Sequence, residues 1–169
     1  VAINAVSSLK AIRIGRPVPS REALKLMDHT RARRWGRRRR RLVLNDRNLV
    51  NAPSYPLPPS IAGQMLETVL ALGDKPATND VIAFMDSTCL LKAIRFDGWT
   101  DSELLAFWLN VYHCMLLHGL LVFGVPKSQS ERKNFHSRVT YLIGATPVSL
   151  RELETEILQV PVADPRAAQ

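Results

Sequence analysis

Residues 104–124, LLAFWLNVYHCMLLHGLLVFG, contain no formal charge. About 20 apolar residues suffice to cross a bilayer, so a run of this length must sit either in lipid or among protein neighbours. Its composition favours the second. Asn110, His113 and His118 lie near its centre, where polar groups are costly in hydrocarbon. Its flanks carry Asp101 and Glu103 on one side and Lys127 on the other, and form no basic clamp. Thr100 and Glu103 match the capping box of a helix that starts in water. The expectation is one long buried helix over about 101–123, ended by Gly124 and blocked by Pro126, and not a membrane span.

The polar residues within it are ordered. Asn110, Cys114 and His118 recur every four positions and so share one helical face, with Phe107 and Leu121 continuing the line. A buried polar stripe needs partners. The simpler expectation is that Asn110 and His118 satisfy backbone groups of a neighbouring segment. The sharper one makes Cys114 a nucleophile and His118, one turn away, its base, since an adjacent imidazole lowers a thiol pKa. No third member and no oxyanion hole is identifiable from the sequence.

Metal chemistry is not expected. His113, Cys114 and His118 cannot all converge from one helix, and no Cys-x-x-Cys or His-Glu-x-x-His spacing occurs. No other cofactor is expected either. His29 and His136 are expected at the surface. Glu152, Glu154 and Glu156 belong to helix faces, with Glu154, beside inward Leu153, the acid best placed for burial. Cys89 and Cys114 allow at most one disulfide, so free thiols in a reducing, intracellular (cytoplasmic or nuclear) compartment are the expectation. The sequence begins at Val1, shows no signal-peptide pattern near its start and reads as a fragment.

Charge divides the chain. Of its 23 Lys and Arg, 14 fall in residues 1–51 against 3 acids; residues 52–169 hold 9 against 12. Residues 31–41, RARRWGRRRRR, concentrate the excess. Like charges so dense repel one another and stay solvated. Arg33, Arg34, Arg37, Arg38, Arg39, Arg40 and Arg41 form a candidate anion-binding patch for non-specific nucleic acid or an anionic surface, with Trp35 able to stack.

Residues 1–51 therefore read as a basic helical or flexible arm. Within it, Ile3, Val6 and Leu9 keep a helix-like spacing, and Ser20 caps a short helix with Leu24 and Met27 along one edge. Residues 52–60, rich in proline, read as a linker. A domain spans 61–169. Its expected elements are a helix capped by Ser60, a second over about 79–94, the long central helix, and a polar connection. A hairpin follows, from Val139–Ile143 through Gly144-Ala145 to Thr146–Val148. A closing helix opens at the Ser149–Glu152 capping box. The fold class is α+β and mostly helical.

From about residue 84 to 166 the chain resembles domain-of-unknown-function family 547. LLAFWLNVYHCMLLHGLLVFGVPKS is similar to the family's aromatic-x-Asn-x-Tyr-Asn helix followed by a His. YLIGATPVSLRELETEIL is similar to its Tyr-x-Ile-Gly-Gly turn and Ser-Leu helix, and DPR closes the match. The family's signature positions fall on Trp108, Asn110, Tyr112, His118, Tyr141, Gly144, Ser149, Leu150, Glu154, Leu158, Asp164, Pro165 and Arg166. His113 stands where the family usually has Asn, Ala145 replaces a second Gly, and Gln159 replaces an Arg. The family usually continues past DPR into a segment bearing His and Cys, so the resemblance implies an incomplete domain here, with part of its core left to a partner. Some relatives look like distant papain- or transglutaminase-type folds, which implies thiol chemistry or a signalling scaffold. The leading expectation is a non-catalytic interaction or scaffold module with a protein partner. The alternatives are a thiol-dependent hydrolase or redox protein of papain-like descent, and electrostatic nucleic-acid binding through the Arg-rich arm.

Overall fold

The computed structural model describes residues 41–47, 56–73 and 76–159. In chain order these form strand β1 (Leu42–Val43), helices α1 (Ile61–Ala71) and α2 (Thr78–Cys89), a 3-10 turn (Leu90–Ala93) and helix α3 (Asp101–Phe123). Helix α4 (Gln129–Arg138), strands β2 (Val139–Ile143) and β3 (Thr146–Ser149), and a closing helix α5 over residues 150–157 follow. The fold is α+β, mostly helical, and α3 is its central element.

α3 starts where its cap dictates. The Thr100 hydroxyl accepts from the Glu103 amide, and the Glu103 carboxylate accepts from the Thr100 amide at 2.8 Å. Gly124 ends it at φ 76°. Phe107, Val111 and Met115 are fully buried. α3 packs most extensively on α1 and also against β2 and α5. By length and composition it is the one described helix able to cross a membrane. Gly119 permits its close approach to the layer behind it: a Cβ there would lie 2.7 Å from the Phe135 ring and 2.8 Å from Val139.

The sheet has the order β1-β2-β3. β2 and β3 form the expected antiparallel hairpin, with Tyr141 opposite Val148 and Ile143 opposite Thr146. Gly144 takes φ 60° and Ala145 does not take a positive φ. A two-residue turn of this kind needs glycine only at its first position, so Ala145 fits without strain.

Residues 41–47 depart from the arm to which the sequence assigned them. β1 runs parallel to β2, with Leu42 opposite Val139. Leu44 is buried in the core. The Asn45 side chain donates to the carbonyls of Thr88 (3.1 Å) and Leu142 (2.9 Å) and accepts from the Leu142 amide (2.8 Å), completing the sheet edge as a strand would. Leu57, placed in the linker, is buried in the same core. Burial and backbone pairing thus draw the end of the arm and of the linker into the domain. Residues 1–40, with the helices expected there, and 48–55 lie outside the described residues.

Four local expectations also change. Ser60 makes no side-chain cap; the Ile61 amide donates instead to the Pro58 carbonyl at 3.0 Å. The polar connection after α3 is the ten-residue helix α4, capped by Ser128, whose hydroxyl accepts from the Glu131 amide. The second helix ends as α at Cys89 and tightens into the 3-10 turn. α5 opens at Ser149 with the expected capping box, then widens to a π-helix over Leu153–Ile157. The Leu158 amide donates to the Leu153 carbonyl at 2.8 Å.

Candidate functional site

The polar stripe of α3 faces inward and meets β2. Tyr141 projects into the core and is fully buried. Its hydroxyl shares a 2.8 Å hydrogen bond with Nδ1 of His118 and lies 3.9 Å from the Cys114 thiol. The Phe84 ring packs edge-on against the imidazole, with centroids 5.0 Å apart. His118 therefore bonds a side chain, not the neighbouring backbone group expected of it.

Burial sets the charge states. It pushes the Cys114 thiol up to about 12 and the His118 imidazole down to about 3. Tyr141 is also held well above its ordinary value by burial. At neutral pH all three groups are neutral. With that thiol pKa, only about one Cys114 in 10⁵ is a thiolate at pH 7. Cys89 is likewise buried, its thiol raised by desolvation and held toward the carbonyls of Met85 (3.3 Å) and Asn45 (3.6 Å).

Asn110, the third member of the stripe, is buried at the crossing of α3 and α1, and its Oδ1 has no hydrogen-bond partner among the described residues. A Cβ at Gly63 would lie 3.5 Å from its amide nitrogen. This is the second departure from the expected backbone pairing.

A second cluster joins three helices at the domain's edge. The Tyr112 hydroxyl on α3 donates to Oε1 of Glu154 at 2.7 Å, and Nδ1 of His136 on α4 lies 3.1 Å from the same oxygen. Burial, then the Glu154 carboxylate, raises the Tyr112 phenol far above its ordinary range. All three side chains are half-buried. Glu154 is thus engaged as its position suggested, and His136, expected only at the surface, is its partner. The π-helical turn of α5 carries Glu154 to this place.

The other signature positions serve the frame. Trp108 packs against Phe96 and Phe107. Gly144 turns the hairpin and its amide donates to the Leu91 carbonyl at 2.8 Å. Ser149 caps α5, Leu150 is buried, and Leu158 is half-buried at its end. His113, at the family's Asn position, donates from Nδ1 to the Leu109 carbonyl one turn back. Asp164, Pro165 and Arg166 lie outside the described residues. So do Arg33, Arg34, Arg37, Arg38, Arg39 and Arg40. Arg41 is bonded to the Pro147 carbonyl at 3.0 Å and paired with Glu152. Among the described residues no three His, Cys, Asp or Glu side chains gather to hold a metal.

The described chain is a small α+β domain whose central helix turns a polar edge inward to a sheet tyrosine. Its segment 96–168 matches the family described as "Protein of unknown function, DUF547". That is a partial match, less than half of the chain, and it contains every signature position named above. No curated protein and no solved structure matches the chain.

Proposed function

We propose that this chain is a non-catalytic protein-interaction module. One observation carries the reading: α3 buries a polar edge and leaves part of its apolar surface uncovered. Its polar residues Asn110, Cys114 and His118 are buried, while Leu105, Leu109, Leu116 and Leu120 are wholly or partly exposed. A helix with no charge after its first turn that leaves leucines wholly or partly uncovered favours association over catalysis. The thiol and imidazole that an enzyme would need are neutral and shut inside. The fully buried Cys114 offers no nucleophile to a substrate at the surface.

The test is a photo-crosslinking amino acid placed at exposed Leu105, with exposed Asn134 on α4 as the control, in cells that make the protein. Adducts to another protein at residue 105 and not at 134 support the module. No such adduct, or equal yields at both positions, counts against it.

A second reading, polyanion binding by the arm, is favoured by the charge excess of residues 1–51. Binding that falls steeply with salt and is lost on deleting 31–40 supports it. Arg41 is excluded from that deletion because it holds Glu152.

A further inference from the structure

Unpaired polar groups from two helices meet where α1 crosses α3. The first set is the start of α1. The Ile61 amide donates to the Pro58 carbonyl and the Gln64 amide to the Ser60 carbonyl. The amides of Ala62 and Gly63, between them, have no partner among the described residues, because Ser60 makes no side-chain cap. Both residues are buried. A helix start buried in this way has its free amides satisfied by a side chain, by water or by a ligand. The second is Asn110, 5% exposed, whose Oδ1 finds no donor among the described residues.

The two sets are neighbours. Nδ2 of Asn110 lies 3.5 Å from the place a Cβ would take on Gly63. The Gly63 nitrogen is about 2.5 Å from that place, so it stands at most about 6 Å from Nδ2. Two hydrogen bonds of about 2.9 Å in line cover such a gap. Gly63 brings no side chain into it.

The unpaired groups differ in kind, and that selects the occupant. An anion would accept from the amides but offer nothing to Oδ1. A cation would satisfy Oδ1 and be repelled by the amides at the positive end of α1. Water serves both, since it accepts and donates, and a buried polar crossing is where an internal water is held. We propose that the α1–α3 crossing is a binding site for one buried water, which accepts from the Gly63 amide and donates to Oδ1 of Asn110. Asn110 thereby caps α1 from α3 through the water, in place of the bond that Ser60 does not make. The inference is independent of the interaction reading.

The experiment measures Overhauser transfer between water and backbone amides in the isotope-enriched full chain, in the laboratory and rotating frames. The Gly63 amide is expected to show a cross-peak with the sign of a long-lived bound water. The peak is expected to persist in Ser60→Ala, which removes the exchanging hydroxyl of the residue before the helix, and to be lost in Asn110→Leu. Gly63→Ala is the second variant. Its methyl meets Asn110 at an ordinary contact distance, so the fold is kept, and it fills the gap, so the peak is again expected to vanish. Absence of the peak in the parent chain overturns the proposal, and so does its loss in Ser60→Ala. A peak that survives Asn110→Leu or Gly63→Ala overturns it as well. So does a scalar coupling from the Gly63 amide straight to the Asn110 side-chain carbonyl, which would make Asn110 the cap without a water.

Discussion

The Tyr141 hydroxyl sits 2.8 Å from Nδ1 of His118, and both side chains are sealed from solvent. This bond ties the middle strand of the sheet to the central helix. It also engages one nitrogen of the imidazole that a catalytic reading of Cys114 would require.

Tyr141→Phe removes one partner and leaves the buried imidazole nitrogen unsatisfied. The expected cost is about 1–3 kcal/mol of stability, read from urea unfolding midpoints. Tyr141→Phe with His118→Leu replaces both polar groups and is expected to cost less than the two single changes together. Strict additivity would show that the bond contributes nothing.

Acid sensitivity follows from the same burial. His118 in the folded chain takes up a proton only near pH 3, against an ordinary value of 6.5. Between these values the unfolded chain binds a proton that the folded chain refuses. Stability therefore falls as pH drops from about 6.5 toward 3, at up to about 1.4 kcal/mol per pH unit. His118→Gln, which can still bond Tyr141, is expected to lose less stability between pH 7 and pH 4 than the parent chain. Equal losses in the two would remove His118 from the account of acid unfolding.

Asn45 supplies three hydrogen bonds to backbone groups, one buried at Thr88 and two half-buried at Leu142. Asn45→Ala strands those groups, and about 3 kcal/mol of destabilisation is expected. A change below about 0.5 kcal/mol, the ordinary range for surface substitutions, would return residues 41–47 to the arm.

Gly119→Ala sets two effects against each other. Helix propensity favours alanine by about 1 kcal/mol. The new methyl would meet Phe135 and Val139 at under 3 Å, and both are buried. Overpacking of this kind costs about 1–3 kcal/mol, so a net loss in thermal stability is expected. A higher melting temperature would show that the ring can move aside.

What the sequence made legible was local. The Thr100–Glu103 and Ser149–Glu152 boxes announce their helices because two residues three positions apart encode each cap. The hairpin is readable from Gly144 and the alternation around it. β1 was not readable: Leu42 and Val43 follow directly on an arginine tract, and their pairing with β2 is set by tertiary contact. α4 was hidden because Phe135 is its one buried apolar residue, although Ser128 and Glu131 stand at capping-box spacing. The Asn110, Cys114, His118 edge was visible as a period of four. Its partner Tyr141 was not, since that contact depends on how β2 lies across α3. Likewise Glu154 stood out by position, but its link to Tyr112 and His136 needed the π-helical turn, which nothing local in the sequence encodes.

The central claim is that the Cys114 and His118 edge is structural. The most direct measurement is the rate at which iodoacetamide alkylates Cys114 in the native protein at neutral pH, with Cys89 followed in the same sample. Both thiols are expected to react only as fast as the chain unfolds, and together. Rapid, selective modification of Cys114 in the folded chain, abolished by His118→Gln, would contradict the claim and point to a working thiol.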